Sequence, residues 1–207
     1  MKSSADYRNP DGFRPHLDLR REVLRKLFHL FGLILPIGYV YFGPSVAKKL
    51  MIVAVVVVIA LDLVRLYWPL ARRAYVRLFS PLSREKEERR LTGASVFVVA
   101  QTLVAFVFPE AIVPVAMTFG IVGDTAAALI GKSVGGPRWQ PNKTVSGTIG
   151  SLAVSFLGGI AWMTLPWHTV LIGAAASALA EGLVRRINDN FVMPIAGGAA
   201  MWIALFL

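Results

Sequence analysis

The sequence contains no cysteine. That excludes disulfides, thiolate metal ligands and cysteine nucleophiles, and leaves the compartment unmarked by redox chemistry. Charge is sparse too: only 16% of the 207 residues are Asp, Glu, Lys or Arg, and 12 of them are acidic. No polar stretch is long enough for a soluble domain, and no internal repeat or low-complexity tract is visible, so an inverted-repeat transporter is not supported. The first 26 residues hold no apolar stretch and no A-x-A-type site closes the first apolar run, so no removable signal peptide is expected.

What the chain has is apolar length. Hydrophobic residues make up 56% of it, gathered in runs at 27–43, 47–68, 94–108, 111–131, 145–165, 167–183 and 190–207. Each is near the roughly 20 residues that cross a bilayer as a helix. The expectation is an all-α polytopic integral membrane protein of about seven transmembrane helices. A cytoplasmic amphipathic arm would occupy residues 1–26, and a single helical membrane domain residues 27–207.

The net charge of +10 gains meaning from its placement. With an odd number of spans, 20 of the 22 Lys and Arg residues fall on one side and only Lys48 and Lys49 on the other. Basic residues in short loops favour the cytoplasm, which puts the N-terminus inside and the C-terminus outside. Anionic headgroups account for such charge; no basic, aromatic-interleaved surface supports a nucleic-acid partner.

In this orientation Asp62, Asp124, Glu181 and Asp189 fall at or near cytoplasmic helix ends, on the face that holds Lys132, Arg138 and Lys143, while Glu110 falls in an external turn. Carboxylates and lysines at that depth suit Mg²⁺ and a polyphosphate drawn from the cytosol. Local readings stay open for three of them. Asp62 precedes Arg65 by three residues and Glu181 precedes Arg185 by four, spacings that also give intrahelical ion pairs. Asp189 is open to a helix N-cap role. Asp124 differs, because no basic residue lies three or four positions from it, and an unpaired charge in an apolar run is costly.

The neighbours of Asp124 at helical spacing are Gly120, Ala127, Ala128 and Gly131, small enough for close helix packing or for a ligand to approach the carboxylate. A Gly-rich loop over 132–143 follows, with Asn142, Lys143 and Thr144 at the entry of the next span. A helix N-terminus beside an ammonium is a ready anion site. Gly131-Lys132-Ser133 lacks the Walker spacing. Upstream, Glu22, Arg25, Lys26 and His29 share one helical face, which serves either as an interfacial anchor with snorkelling side chains or as part of a site. His29 is open to a packed or a catalytic role. The charged stretch 83–93 reads as a surface helix, and the five Trp residues as interface belt or packing. Small-residue runs at 174–176 and 197–200 suit internal packing or contact between copies in a homo-oligomer.

Three segments together resemble the CTP-dependent lipid-alcohol kinases, a family that includes dolichol kinase, phytol kinase and the yeast-type diacylglycerol kinase, with phosphatidate cytidylyltransferase as a distant relative. They are EVLRKLFHL at 22–30, GDTAAALIGKSVGG with PNKTVSGTIG within 123–150, and AEGLVRRINDNFVMP at 180–194. The resemblance implies transfer of the γ-phosphoryl group of CTP to the hydroxyl of a membrane lipid alcohol: a polyprenol, phytol or geranylgeraniol, or diacylglycerol. It implies Mg²⁺ held by Asp124, Asp189 and Glu181, with one of these acids as base. Lys143, Thr144, Asn142, Asn190, Lys132, Arg25, Lys26 and His29 would contact the nucleotide. Ser146 stands where many members carry Glu, which leans toward a prenol-type acceptor. The Lys-Asp signature of the cytidylyltransferases is missing after Asn190, so phosphoryl transfer ranks above nucleotidyl transfer. A non-enzymatic transporter would instead spread its acids through the membrane depth.

Overall fold

A computed structural model describes residues 15–79, 91–184 and 188–206. Each of the seven apolar stretches is helical, and local sequence explains where the helices break. Helix α1 (Pro15–Leu30) runs through a 3₁₀ turn, Phe31–Leu33, into α2 (Ile34–Phe42). The turn falls just ahead of Pro36, whose missing N–H and bulky ring disturb the preceding helical turn. Gly43 then ends α2 with φ +78°, and Pro44 opens α3 (Pro44–Tyr67) at its first position, the usual glycine stop and proline start. Trp68 is extended because Pro69 disfavours helical backbone in the residue before it, and α4 (Pro69–Phe79) sets off from there. Helix α5 (Gly93–Val107) is capped by Thr92, whose hydroxyl accepts from the Ser95 N–H at 3.2 Å.

The centre of the molecule is one continuous helical run. It comprises α6 (Val113–Thr118), a π-helical segment, Phe119–Gly123, and α7 (Asp124–Val134). This run is mostly buried, whereas Glu22–Phe42 and Pro44–Tyr67 expose much of their apolar surface, as lipid-facing helices do. Its own Met117, Phe119 and Ile121 are fully buried, as are Ile112 just before it and Met193 and Met201 of the last helix. Glu22–Phe42, Pro44–Tyr67 and Val113–Val134 are long and apolar enough to cross a membrane; Gly93–Val107 and Val145–Ile160 are apolar but shorter.

The loop expected over 132–143 is more ordered than a loop. Helix α7 continues to Val134, Gly135 and Gly136 take positive φ of +69° and +102° to leave it, and β1 (Arg138–Gln140) pairs antiparallel with β2 (Lys143–Thr144). An all-α chain thus carries one small hairpin. Helices α8 (Val145–Ile160), α9 (Trp167–Leu183) and α10 (Asp189–Ala204) complete the bundle. The boundary expected at residue 26 falls inside α1, a continuous helix. Residues 1–14, Arg185, Arg186 and most of the surface helix expected at 83–93 lie outside the described residues.

Candidate active site

Two lysines, one buried and one half-buried, organise the site. The first is Lys26 of α1, 5% exposed, which forms an ion pair with Asp124 at the start of α7. The shared face read from the sequence points at α7. Beside Lys26, His29 Nε2 lies 3.2 Å from the Gly120 carbonyl oxygen and 3.6 Å from the Asp124 carboxylate. One turn earlier Glu22 pairs with Arg25 and accepts from Lys132 of α7 at 3.0 Å. Helix α1 is therefore docked on α7 by two ion-pair contacts, Glu22 with Lys132 and Lys26 with Asp124. Lys26 is a buried pairing residue, and the snorkelling anchor is set aside for it, since a desolvated ammonium needs a carboxylate partner.

The π-helical segment immediately precedes Asp124. Such widened turns re-aim the residues that follow them. The segment fits because its two glycines lie where side chains would collide: a Cβ on Gly120 would come within 3.0 Å of the Pro194 ring, and one on Gly123 would strike the hydroxyl of Ser155.

The second lysine is Lys143 on β2. Its ammonium bonds Glu181 of α9 and, at 2.6 Å, Asp189 of α10. Three separate elements meet there. Asp189 is available because Asn188 takes the N-cap of α10, accepting from the Asn190 N–H at 3.0 Å. The cap reading for Asp189 is corrected by one residue. Glu181 is buried, and its partner among the described residues is Lys143. Burial works against the Lys143 ammonium, but Asp189 and Glu181 outweigh it and hold its pKa above the ordinary lysine value. The two nodes lie on packed elements: α8 follows Lys143 and Thr144 directly and packs against α7, which opens at Asp124.

The hairpin that carries Lys143 is pinned at several points. Gln140 Nε2 donates to the Gly182 carbonyl at 2.8 Å, and Trp139 Nε1 to the Thr148 hydroxyl at 3.2 Å. Thr144 caps α8, accepting from the Gly147 N–H at 3.1 Å, while Ser146 donates to the Gly135 carbonyl at 2.5 Å. Neither anchor, Trp139 nor Gln140, carries a sequence signal, because their partners lie in other elements. Asn142 is exposed at the hairpin turn, and Asn190 sits in the first turn of α10 beside Asp189.

The acids expected together are divided. Asp62 takes bonds from Arg65 at 3.1 Å, the Thr92 N–H at 2.7 Å and the Ser95 hydroxyl at 2.7 Å. It is a structural knot between α3 and α5, made of partners that belong to neither lysine node. Among the described residues no three His, Asp or Glu side chains gather as a metal cluster; Asp124 pairs with Lys26, and Glu181 and Asp189 with Lys143. The pair Glu181 and Asp189 remains. Two hard carboxylates turned toward one positive centre fit Mg²⁺, which takes one or two protein carboxylates and completes its shell with phosphate oxygens and water.

Fold and site together describe a helical membrane protein with two lysine–carboxylate nodes, one midway along the buried Val113–Val134 run and one where β2, α9 and α10 meet. The chain is 26% identical over 213 residues to the CTP-dependent diacylglycerol kinase 1 of Saccharomyces cerevisiae, an alignment covering 88% of this chain and 73% of that protein. It is 26% identical over 214 residues to the CTP-dependent diacylglycerol kinase 1 of Eremothecium gossypii, covering 88% and 67%. An uncharacterized protein of Rickettsia prowazekii is 25% identical over 189 residues, covering 86% of this chain and 92% of its own length. No protein-family model matches the chain, and no solved structure does.

Proposed function

We propose that this protein is a CTP-dependent lipid kinase that transfers the γ-phosphoryl group of CTP to the hydroxyl of a membrane lipid alcohol, giving the lipid phosphate and CDP. The observation that carries the reading is Lys143, held between Glu181 and Asp189 on a pinned hairpin whose following helix packs against the helix of Asp124. Likeness to the two fungal diacylglycerol kinases along most of the chain supports it and puts diacylglycerol first among acceptors. Polyprenols, phytol and geranylgeraniol are the other members of the class.

Phosphoryl transfer is catalysed mainly by positioning and charge neutralisation. Lys143 serves as the phosphate-binding cation, exchanging carboxylate oxygens for phosphate oxygens as the nucleotide enters. Glu181 and Asp189, released from the ammonium, are the residues that would hold Mg²⁺, which neutralises phosphate charge when bound. Asp124 takes the proton of the lipid hydroxyl as the new O–P bond forms and the bond to the β-phosphate oxygen breaks. Lys26 and His29 hold the Asp124 carboxylate in place for that role, and Arg25 and Lys132 add positive charge at the rim. The 20-to-2 distribution of Lys and Arg expected from seven apolar runs supports a site that opens to the cytoplasm, with the N-terminus on that side.

The test is incubation of the purified protein with Mg²⁺, γ-labelled CTP or ATP, and diacylglycerol, polyprenol, phytol or geranylgeraniol. Labelled lipid from CTP is expected. Absence of labelled lipid with every acceptor overturns the reading, and release of pyrophosphate in its place identifies nucleotidyl transfer.

A further inference from the structure

Helix α4 lies outside both lysine nodes. It follows the 24-residue α3, the longest apolar helix, whose length of about 36 Å at 1.5 Å per residue exceeds a hydrocarbon core of about 30 Å. Its start therefore sits at the membrane boundary. The sequence of α4, PLARRAYVRLF, contains three arginines and no acid. Arg73 and Arg77 stack one turn apart and are exposed, with Arg72 beside them. Together with Leu66 and Pro69 the three line a cavity of about 610 Å³. Leu70 and Leu78, two turns apart, are 67% and 71% exposed on the adjoining side of the helix.

The helix is also fixed in orientation. The Arg65 guanidinium stands 4.8 Å from the centre of the Tyr75 ring and is itself held by Asp62 at 3.1 Å. Like charges one turn apart cost helix stability, so holding Arg73 and Arg77 over one cavity is favoured when an anion binds there. Guanidinium groups match phosphate oxygens through paired donors. Exposed leucines next to the basic face match an amphipathic helix lying in the headgroup–acyl boundary.

We infer that the cavity between the end of α3 and the basic face of α4 binds the phosphate group of an anionic membrane phospholipid, with Arg72, Arg73 and Arg77 as its donors and Leu70 and Leu78 set among the acyl chains. The exposed leucines select a lipid over a soluble phosphate, because only a lipid brings apolar surface to cover them.

Native mass spectrometry of the full chain in neutral detergent, titrated with phosphatidylglycerol or phosphatidylcholine, tests this. The wild-type chain should retain phosphatidylglycerol preferentially, and R72Q/R73Q/R77Q should bind it about ten- to a hundred-fold more weakly, given about 1 kcal/mol per basic residue near an anionic surface. K48Q/K49Q should retain it as wild type does. Unfolding of the triple variant in phosphatidylcholine detects a folding defect; in that case R73Q and R77Q, at exposed positions, must each weaken retention. Equal retention of phosphatidylglycerol by the arginine variants, or equal retention of phosphatidylcholine by wild type, overturns the inference. So does saturation by glycerol 3-phosphate at the same concentration as the lipid.

Discussion

Lys26 on α1 and Asp124 on α7, 98 positions apart in the chain, form a buried ion pair beside His29. Each relieves the other's desolvation, since a lone charge at that depth is costly. The pair is also what turns the polar face of α1 toward the centre of the protein.

Replacing Asp124 with Asn should reduce lipid phosphorylation on the order of 10³-fold or more, the scale seen when a single member of a catalytic set is removed. Single-turnover assays with saturating CTP would show the loss in the transfer step. A D124N protein that turns over at the wild-type rate removes Asp124 from the chemistry.

Lys143→Met should lower transfer on the order of 10²- to 10³-fold, the scale of losing one preorganised charge donor. It should also raise the KM for CTP more than that for the lipid, because Lys143 is assigned to the phosphates. Steady-state kinetics with each substrate varied in turn separates the two effects.

The raised pKa of Lys143 gives a pH signature. Its pairing stabilises the folded state in full below the ordinary lysine value of about 10.4 and is lost as pH climbs through the higher folded value. The difference in unfolding temperature between wild type and K143M should therefore stay flat through neutral pH and shrink only in strong alkali. A difference that closes between about pH 7 and 9 contradicts the elevated value.

Asp62→Ala should behave as a stability variant. It removes the carboxylate that Arg65, the Thr92 N–H and the Ser95 hydroxyl all bond, a loss of about 3 kcal/mol by analogy with other broken buried pairs. Unfolding in detergent should show a clear drop, while the KM for CTP of the folded fraction stays at the wild-type value.

Gly147→Ala tests the packing that brings the hairpin to α7. A methyl group there would come 2.6 Å from the Ala127 carbonyl oxygen and 3.3 Å from Gly131 Cα. Such overpacking costs about 1–3 kcal/mol and should lower both stability and nucleotide affinity by shifting Lys143. Unchanged CTP binding would separate the hairpin position from the α7–α8 contact.

The apolar runs were enough to mark where helices run, and Gly43, Pro44, Pro69 and Thr92 set the breaks through signals that act within a few residues of the backbone. The lone position of Asp124 in an apolar run likewise required a partner that no neighbour could supply. Only the tertiary structure decided that Lys26 is that partner, that Lys143 joins Glu181 to Asp189, and that Asp62 belongs to a separate knot. Helical spacing constrains side chains along one element and carries no information about which elements pack together. Charged groups whose partners lie 30, 46 or 98 positions away are matched by desolvation and packing, which exist only once the chain is folded.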